Sequence, residues 1–167
     1  MIRSLARNIG VVVRNPKWTS YGALEADVFT RTKEDFALLI TVIEPLAKIE
    51  FTRDLNEPHQ YAPKEQVIKQ AIAYFNAERF WESHEALESV WRASSGDEKI
   101  LIQGTILLVA AFVHLQKDEK EIALNLLKRA SRQLEWSERY YYGIDLVDLR
   151  DKIAKMVTGR ELNVFQL

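Results

Sequence analysis

Apolar residues follow two different spacings along this chain. Up to about residue 56 they alternate singly with polar residues or stand in β-branched runs, and from residue 63 onward they recur every third or fourth position. A period near two belongs to strands and one near 3.6 to helices, so the change in spacing predicts a change in architecture.

In the first part, NIGVVVR (8–14) and ALEADVFT (23–30) read as two strands. In the second of these, Leu24, Ala26 and Val28 alternate with Glu25 and Asp27, and the turn-rich NPKWTSYG (15–22) between them predicts a hairpin. Thr32 stands three residues before Asp35 as a helix N-cap, and Phe36, Leu39, Ile40 and Ile43 form an apolar stripe that Pro45 ends. AKIEFTRDL (47–55) returns to alternation through Ala47, Ile49 and Phe51, which predicts a third strand. The expected unit, residues 1–56, is a small β-β-α-β arrangement of α+β type.

The polar, proline-bearing NEPHQYAP (56–63) predicts a linker. Beyond it, residues 63–167 read as an all-helical domain, an orthogonal or bundle-like array of about five helices. Pro63 suits a helix start, Val67, Ile68, Ala71, Ile72 and Phe75 share a face, and Asn76 marks a break before FWESHEALESVWRAS. SSGD (94–97) is a turn. ILIQGTILLVAAFVHL (100–115), apolar on every side, is expected to be the central helix. Ile122, Ala123, Leu126, Leu127, Ala130 and Leu134 make a regular stripe, and Leu146, Leu149, Ile153 and Met156 mark a last helix closed by Gly159. The whole chain is therefore expected to be mainly α.

Composition narrows the functions open to such a protein. Of 167 residues, 47% are hydrophobic and only six are Gly and four Pro, which fits an ordered globular chain. The formal charge is -1, from 23 basic and 24 acidic residues, so a general nucleic-acid affinity is not expected. Arg3, Arg7 and Arg14 precede the first acid, Glu25, and are the local basic exception. The absence of cysteine excludes thiolate zinc sites, leaving His, Asp and Glu as metal ligands. No signal peptide is expected, and the 100–115 stretch is shorter than the roughly 20 residues of a bilayer span. The expectation is a soluble, cytoplasmic protein with no membrane partner.

Candidate chemistry gathers in the helical part. On a helix, Phe80, His84, Leu87 and Trp91 share a face that is expected to meet the core, and Glu88 lies one turn from both His84 and Arg92. Glu85 falls on the flank with Trp81, Glu88 and Arg92. Gln103, Leu107, Ala110 and His114 form a stripe on the central helix, where Gly104 leaves room for another helix. Buried polar groups without partners cost several kcal/mol, so His84, Glu88 and Glu85 are expected to converge with Gln103 or His114 in one dry pocket walled by Phe80 and Trp91. His84, Glu88 and His114 could there bind zinc, manganese or iron, with Glu85 as general base. HEALE nevertheless lacks the second histidine of the zincin H-E-x-x-H helix, and no E-x-x-H pair recurs for a di-iron site. His59 reads as a loop histidine, and Trp136 with Tyr140, Tyr141 and Tyr142 as cover for the core.

FNAERFWESHEALESVWR, followed by IQGTILLVAAFVH and ALNLLKRA, resembles the domain of unknown function 309 family of small bacterial and archaeal helical proteins, over about residues 67–134. The matching positions are Phe75, Asn76, Phe80, His84, Glu85, Leu87, Glu88, Trp91, Arg92, Gln103, Gly104 and His114. The resemblance implies a compact helical fold and lends no activity. The leading expectation is a non-enzymatic module that binds a small ligand or a protein partner through the His84 and Glu88 cluster, with homo-oligomers open to it. A metal-dependent hydrolase using His84, Glu85, Glu88 and His114 is second, and a nucleic-acid accessory protein acting through Arg3, Arg7 and Arg14 is third.

Overall fold

The structure, a computed structural model, describes residues 10–54, 62–135 and 139–167. The chain divides into two compact units, Met1–Gln60 and Tyr61–Leu167. Arg3, Arg7, His59 and Trp136 lie outside the described residues.

The first unit is an antiparallel hairpin followed by a helix: β1 (Val12–Trp18), β2 (Leu24–Phe29) and α1 (Lys33–Ile43). β1 runs through the stretch NPKW that the sequence assigns to the turn. It does so because the ladder shifts register between Arg14 and Lys17, which places Pro16 in an irregularity where no ladder N–H is needed. Asn15 takes φ 47° there and ties back to the opposite strand, its Nδ2 donating to Asp27 at 2.7 Å. The turn proper is Thr19 to Ala23. The Thr19 hydroxyl accepts from the Ala23 N–H at 2.8 Å, and Gly22 supplies the φ of +85°.

Thr32 caps α1 by accepting from the Asp35 N–H at 3.1 Å, and Leu39 buries against Val11 and Val13, with Ile43 at the margin. The third strand expected at 47–55 does not form over its described part. Residues 48–54 have no regular structure, and Phe51 is exposed. Alternation records which residues prefer one side of a sheet but supplies no neighbouring edge, and a strand exists only once paired.

The second unit holds five helices: α2 (Lys64–Asn76), α3 (Phe80–Ala93), α4 (Gly96–Leu115), α5 (Lys120–Leu134) and α6 (Leu146–Gly159). Each packs on the next, and α4 lies between α3 and α5. The apolar circumference of α4 explains its place, since Ile102, Leu108, Val109 and Phe112 are buried towards different neighbours. α4 is also the one described helix long and apolar enough to cross a membrane, and most of that apolar window is consumed inside this core.

Between α5 and α6, β3 (Tyr140–Tyr141) and β4 (Ile144–Asp145) form a minimal hairpin. Tyr142 and Gly143 both have positive φ, as a two-residue type I′ turn requires. Tyr141 packs on the core, as expected for cover, whereas Tyr140 is exposed. Asp145 then caps α6, accepting from the N–H groups of Val147 and Asp148.

Phe75, Phe80 and Phe112 form the centre. Their ring centroids lie 5.0 to 5.2 Å apart, and the Phe75 ring meets the other two edge-on. Such contacts add about 0.5–1.5 kcal/mol each beyond the area they bury.

Candidate functional site

α3 carries most of the polar candidates, and its orientation decides what they can do. The residues it buries are Phe80, Glu82, Ser83, Leu87 and Val90. The core face is therefore rotated from the expected stripe of Phe80, His84, Leu87 and Trp91, so that Ser83 and Val90 take the inner positions. His84, Glu85, Glu88 and Trp91 are left half-buried along the flank, and Arg92 is exposed. Ser83 belongs inside because α2 passes close to it: the Ser83 hydroxyl donates to the Ala71 carbonyl at 2.8 Å. A larger side chain would hold the two helices apart.

Along the flank the side chains pair with one another. The Trp81 indole is 54% exposed and stacks nearly parallel on His84, with centroids 5.8 Å apart. Its Nε1 donates to Glu85 at 3.1 Å. One turn on, Arg92 donates to Glu88 at 2.9 Å. The Arg92 bond and charge hold the Glu88 carboxyl below its usual range, and the nearby His84 adds a smaller pull in the same direction. Trp91 lies beneath the Lys99 ammonium, which stands 4.3 Å from the indole centroid.

The candidates on α4 do not join them. His114 ends that helix and pairs through Nδ1 with Glu119 of the following turn at 2.5 Å. Gln103 is half-buried beside Gly104. Gly104 does mark a close helix approach, and the partner is α5: a Cβ there would stand 2.9 Å from Leu134.

The dry pocket expected from His84, Glu85, Glu88, Gln103 and His114 is therefore not formed. Polar groups at half-exposed positions can be satisfied along their own helix and by water, which removes the physical reason for convergence. The weak metal set of His84, Glu88 and His114 is corrected on the same ground. Among the described residues, no group of three or more His, Asp or Glu side chains is placed to hold a metal ion.

A different polar cluster is buried, at the corner between α2 and α3. Arg79 donates twice to Glu82, at 2.9 and 2.7 Å, and its guanidinium lies 4.5 Å from the Tyr74 ring centroid. Glu78 takes φ 57°, and its carbonyl accepts from Gln116 of the α4 end at 2.9 Å. Asn76 hydrogen-bonds the backbone of Leu167. Asn76 is expected from the sequence as a helix break and as one of the positions of the family resemblance, and neither expectation includes this tie to Leu167. The alternation of polar and aromatic residues in FNAERFWE was the available signal that this corner is built rather than merely exposed.

Two clefts border residues 160–167. One is lined by Ala111, Phe112, Leu115 and Leu162, and the other by Asp145, Lys152, Phe165 and Gln166. Neither encloses more room than about one water molecule needs, far below the roughly 300–1,000 Å³ of small-molecule sites.

A further tie joins three elements of the unit. Lys64 donates to Glu98 at 2.7 Å and the Tyr141 hydroxyl donates to the same carboxylate at 3.1 Å, so α2, β3 and α4 meet there. The Lys64 bond, more than that of Tyr141, keeps the Glu98 carboxyl below its usual range. Burial, and next the Glu98 charge, push the Tyr141 phenol upward.

The helices that carry the flank and the corner can now be placed among known sequences. Residues 68–126 match the family model Domain of unknown function (DUF309). The DUF309 match runs from α2 into α5, so it takes in the α2–α3 corner, the whole flank of α3 and all of α4. No curated protein matches the chain. Within the DUF309 segment, Phe75 and Phe80 build the core, Gly104 permits the α4–α5 contact, and Asn76 holds the backbone of Leu167. His84, Glu85, Glu88 and Arg92, which also lie in the matched segment, stand half-buried to exposed along the α3 flank.

Proposed function

We propose that the helical unit is a protein-binding module and that its contact surface is the α3 flank of Trp81, His84, Glu85, Glu88 and Arg92. The observation that carries this reading is an indole held half out of the fold by its own helix. The His84 ring lies beside it, and Glu85 accepts its N–H. Ordering a large side chain beforehand removes rotamer entropy that binding would otherwise cost, and Trp and Arg are the residue types that dominate binding energy at interfaces.

The occupant that fits is a polypeptide surface supplying an apolar side chain to the Trp81 ring and a carboxylate to Arg92. Arg92 uses Nη2 for Glu88 and carries a planar fork of five N–H donors suited to a carboxylate. The small clefts favour this reading over a small-molecule ligand, and the dispersal of His84 and His114 favours it over a hydrolase. Arg14, the described member of the basic set, lies 5.1 Å from the Phe29 ring opposite Asp27, which lends a nucleic-acid role no support.

The test is affinity isolation from the source cells with quantitative mass spectrometry. It compares the wild type with Trp81→Ala, Arg92→Glu and the control Lys128→Ala on α5. The reading expects one set of proteins to fall about tenfold or more in both flank variants and to persist in the control, as loss of a hot-spot residue implies. Equal recovery across all four samples would overturn it.

A further inference from the structure

Residues 160–167 leave the end of α6 without regular structure, yet they complete the core. Leu162, Phe165 and Leu167 pack on it. The Phe165 ring meets Phe75 at 5.8 Å and Phe112 at 5.4 Å, under the Lys152 ammonium at 5.0 Å. The main chain is held as well. Asn76 Nδ2 donates to the Leu167 carbonyl at 3.3 Å, its Oδ1 accepts from the Leu167 N–H at 2.8 Å, and Lys152 donates to the Gln166 carbonyl at 3.2 Å. Spaced apolar anchors with direct hydrogen bonds to the backbone are how a groove holds a peptide.

The join to α6 is the weak point of this arrangement. Arg160 sits in the left-handed region at φ 53°, which costs an L-residue with a Cβ about 1–2 kcal/mol, and it is braced there by an ion pair with Glu121. Beyond that ion pair, the core packing and backbone bonds named above come from residues 162–167, and their partners belong to earlier parts of the helical unit.

We propose that residues 161–167 form an exchangeable arm, and that in a dimer each copy seats its arm in the groove of the other. Exchange keeps the Phe165 packing and the Asn76 bonds, because the incoming arm has the same sequence. It also lets Arg160 extend, relieving a conformation whose cost corresponds to roughly a tenfold bias. Against exchange stands the effective concentration of an arm on its own chain, of millimolar order for short connections. The monomer therefore dominates when dilute and the dimer grows in as concentration rises. The arm groove lies on Phe75, Asn76, Phe112 and Lys152, residues separate from the α3 flank, so it makes no use of that surface.

The hinge supplies the test. Arg160→Gly and Arg160→Val both lose the Glu121 pair, but glycine accepts a positive φ and a β-branched residue does not. In light scattering of the full chain from ~10 µM to ~1 mM, a range reaching the intramolecular effective concentration, Arg160→Val is expected to dimerise at roughly a hundredfold lower concentration than Arg160→Gly, about tenfold for each of the two hinges that extend in a dimer. The chain has no cysteine, so Lys152→Cys combined with Gln166→Cys on the natural hinge places one thiol on the groove and one on the arm. A short bismaleimide should then yield covalent dimers from the concentrated sample and cross-linked monomers from the dilute one. Circular dichroism confirms that each variant is folded. Equal monomer mass for both hinge variants with only internal cross-links would overturn the proposal, as would a dimer whose cross-links stay internal.

Discussion

The Ser83 hydroxyl and the Ala71 carbonyl meet at 2.8 Å between α2 and α3, both residues buried. This contact sets the distance between the two helices. Ser83→Ala removes one neutral hydrogen bond and should cost about 1 kcal/mol. Ser83→Leu must push the helices apart and should cost about 1–3 kcal/mol or more. Urea unfolding of both variants checks the order, and a Ser83→Leu protein as stable as wild type would contradict the packing described.

Gly104 offers a second measure of close approach. Alanine is the better helix former by about 1 kcal/mol, yet its Cβ would lie 2.9 Å from Leu134 Cγ and 3.1 Å from Gln133 Cβ. Overpacking of this kind typically costs about 1–3 kcal/mol and should win. Gly104→Ala is expected to lower the unfolding midpoint, and pairing it with Leu134→Ala should recover part of the loss.

His84 and His114 have separate partners, Trp81 and Glu119. Their alanine substitutions should therefore be additive, with a coupling within about 0.3–0.5 kcal/mol in a double-mutant cycle. Coupling well above that range would mean that the two histidines share a site after all. The same cycle run with added zinc should return the same numbers.

The Glu98 tie gives the helical unit a predictable response to pH. Its folded pKa lies below the ordinary 4.5, so the stabilisation is complete above that value and is lost as pH falls through the lower folded one. Glu98→Gln should be less stable than wild type at neutral pH, and the gap should close in acid. Tyr141 has the opposite sign. Its pKa is raised from 10.0, so its contribution is complete below pH 10 and is lost as pH rises further. The stability of Tyr141→Phe should thus fall less steeply than that of wild type above pH 10. Chemical denaturation at fixed pH steps measures both.

Much of this architecture is written in the spacing of apolar residues, because helices that face a single core need a stripe every 3.6 positions. α1, α5 and α6 are legible in that way, as is the burial of the uniformly apolar α4. The orientation of α3 is harder to read. Phe80 and Leu87 belong to two candidate faces, one completed by His84 and Trp91 and the other by Ser83 and Val90. Size and aromaticity argue for the first, but the nearness of α2 selects the second, and that nearness is a property of the assembled unit. The roles of Asn76, Glu78 and Arg79 were hidden for a similar reason. Their partners include Leu167 and Gln116, which the local sequence around them does not identify. The segment 47–54 shows the converse, a strand-like pattern that pairs with no strand among the described residues.

The bonds between Asn76 and Leu167 span 91 residues of chain. At a translation rate of about 5–20 residues per second, roughly 5–20 seconds separate the two ends on the ribosome. The helices of the nascent chain can pair during that interval while the seat for Phe165 stands open, leaving the edges of Phe75 and Phe112 wet. A chaperone or a neighbouring nascent copy thus has a window of seconds in which to reach that seat before residues 162–167 of the same chain arrive.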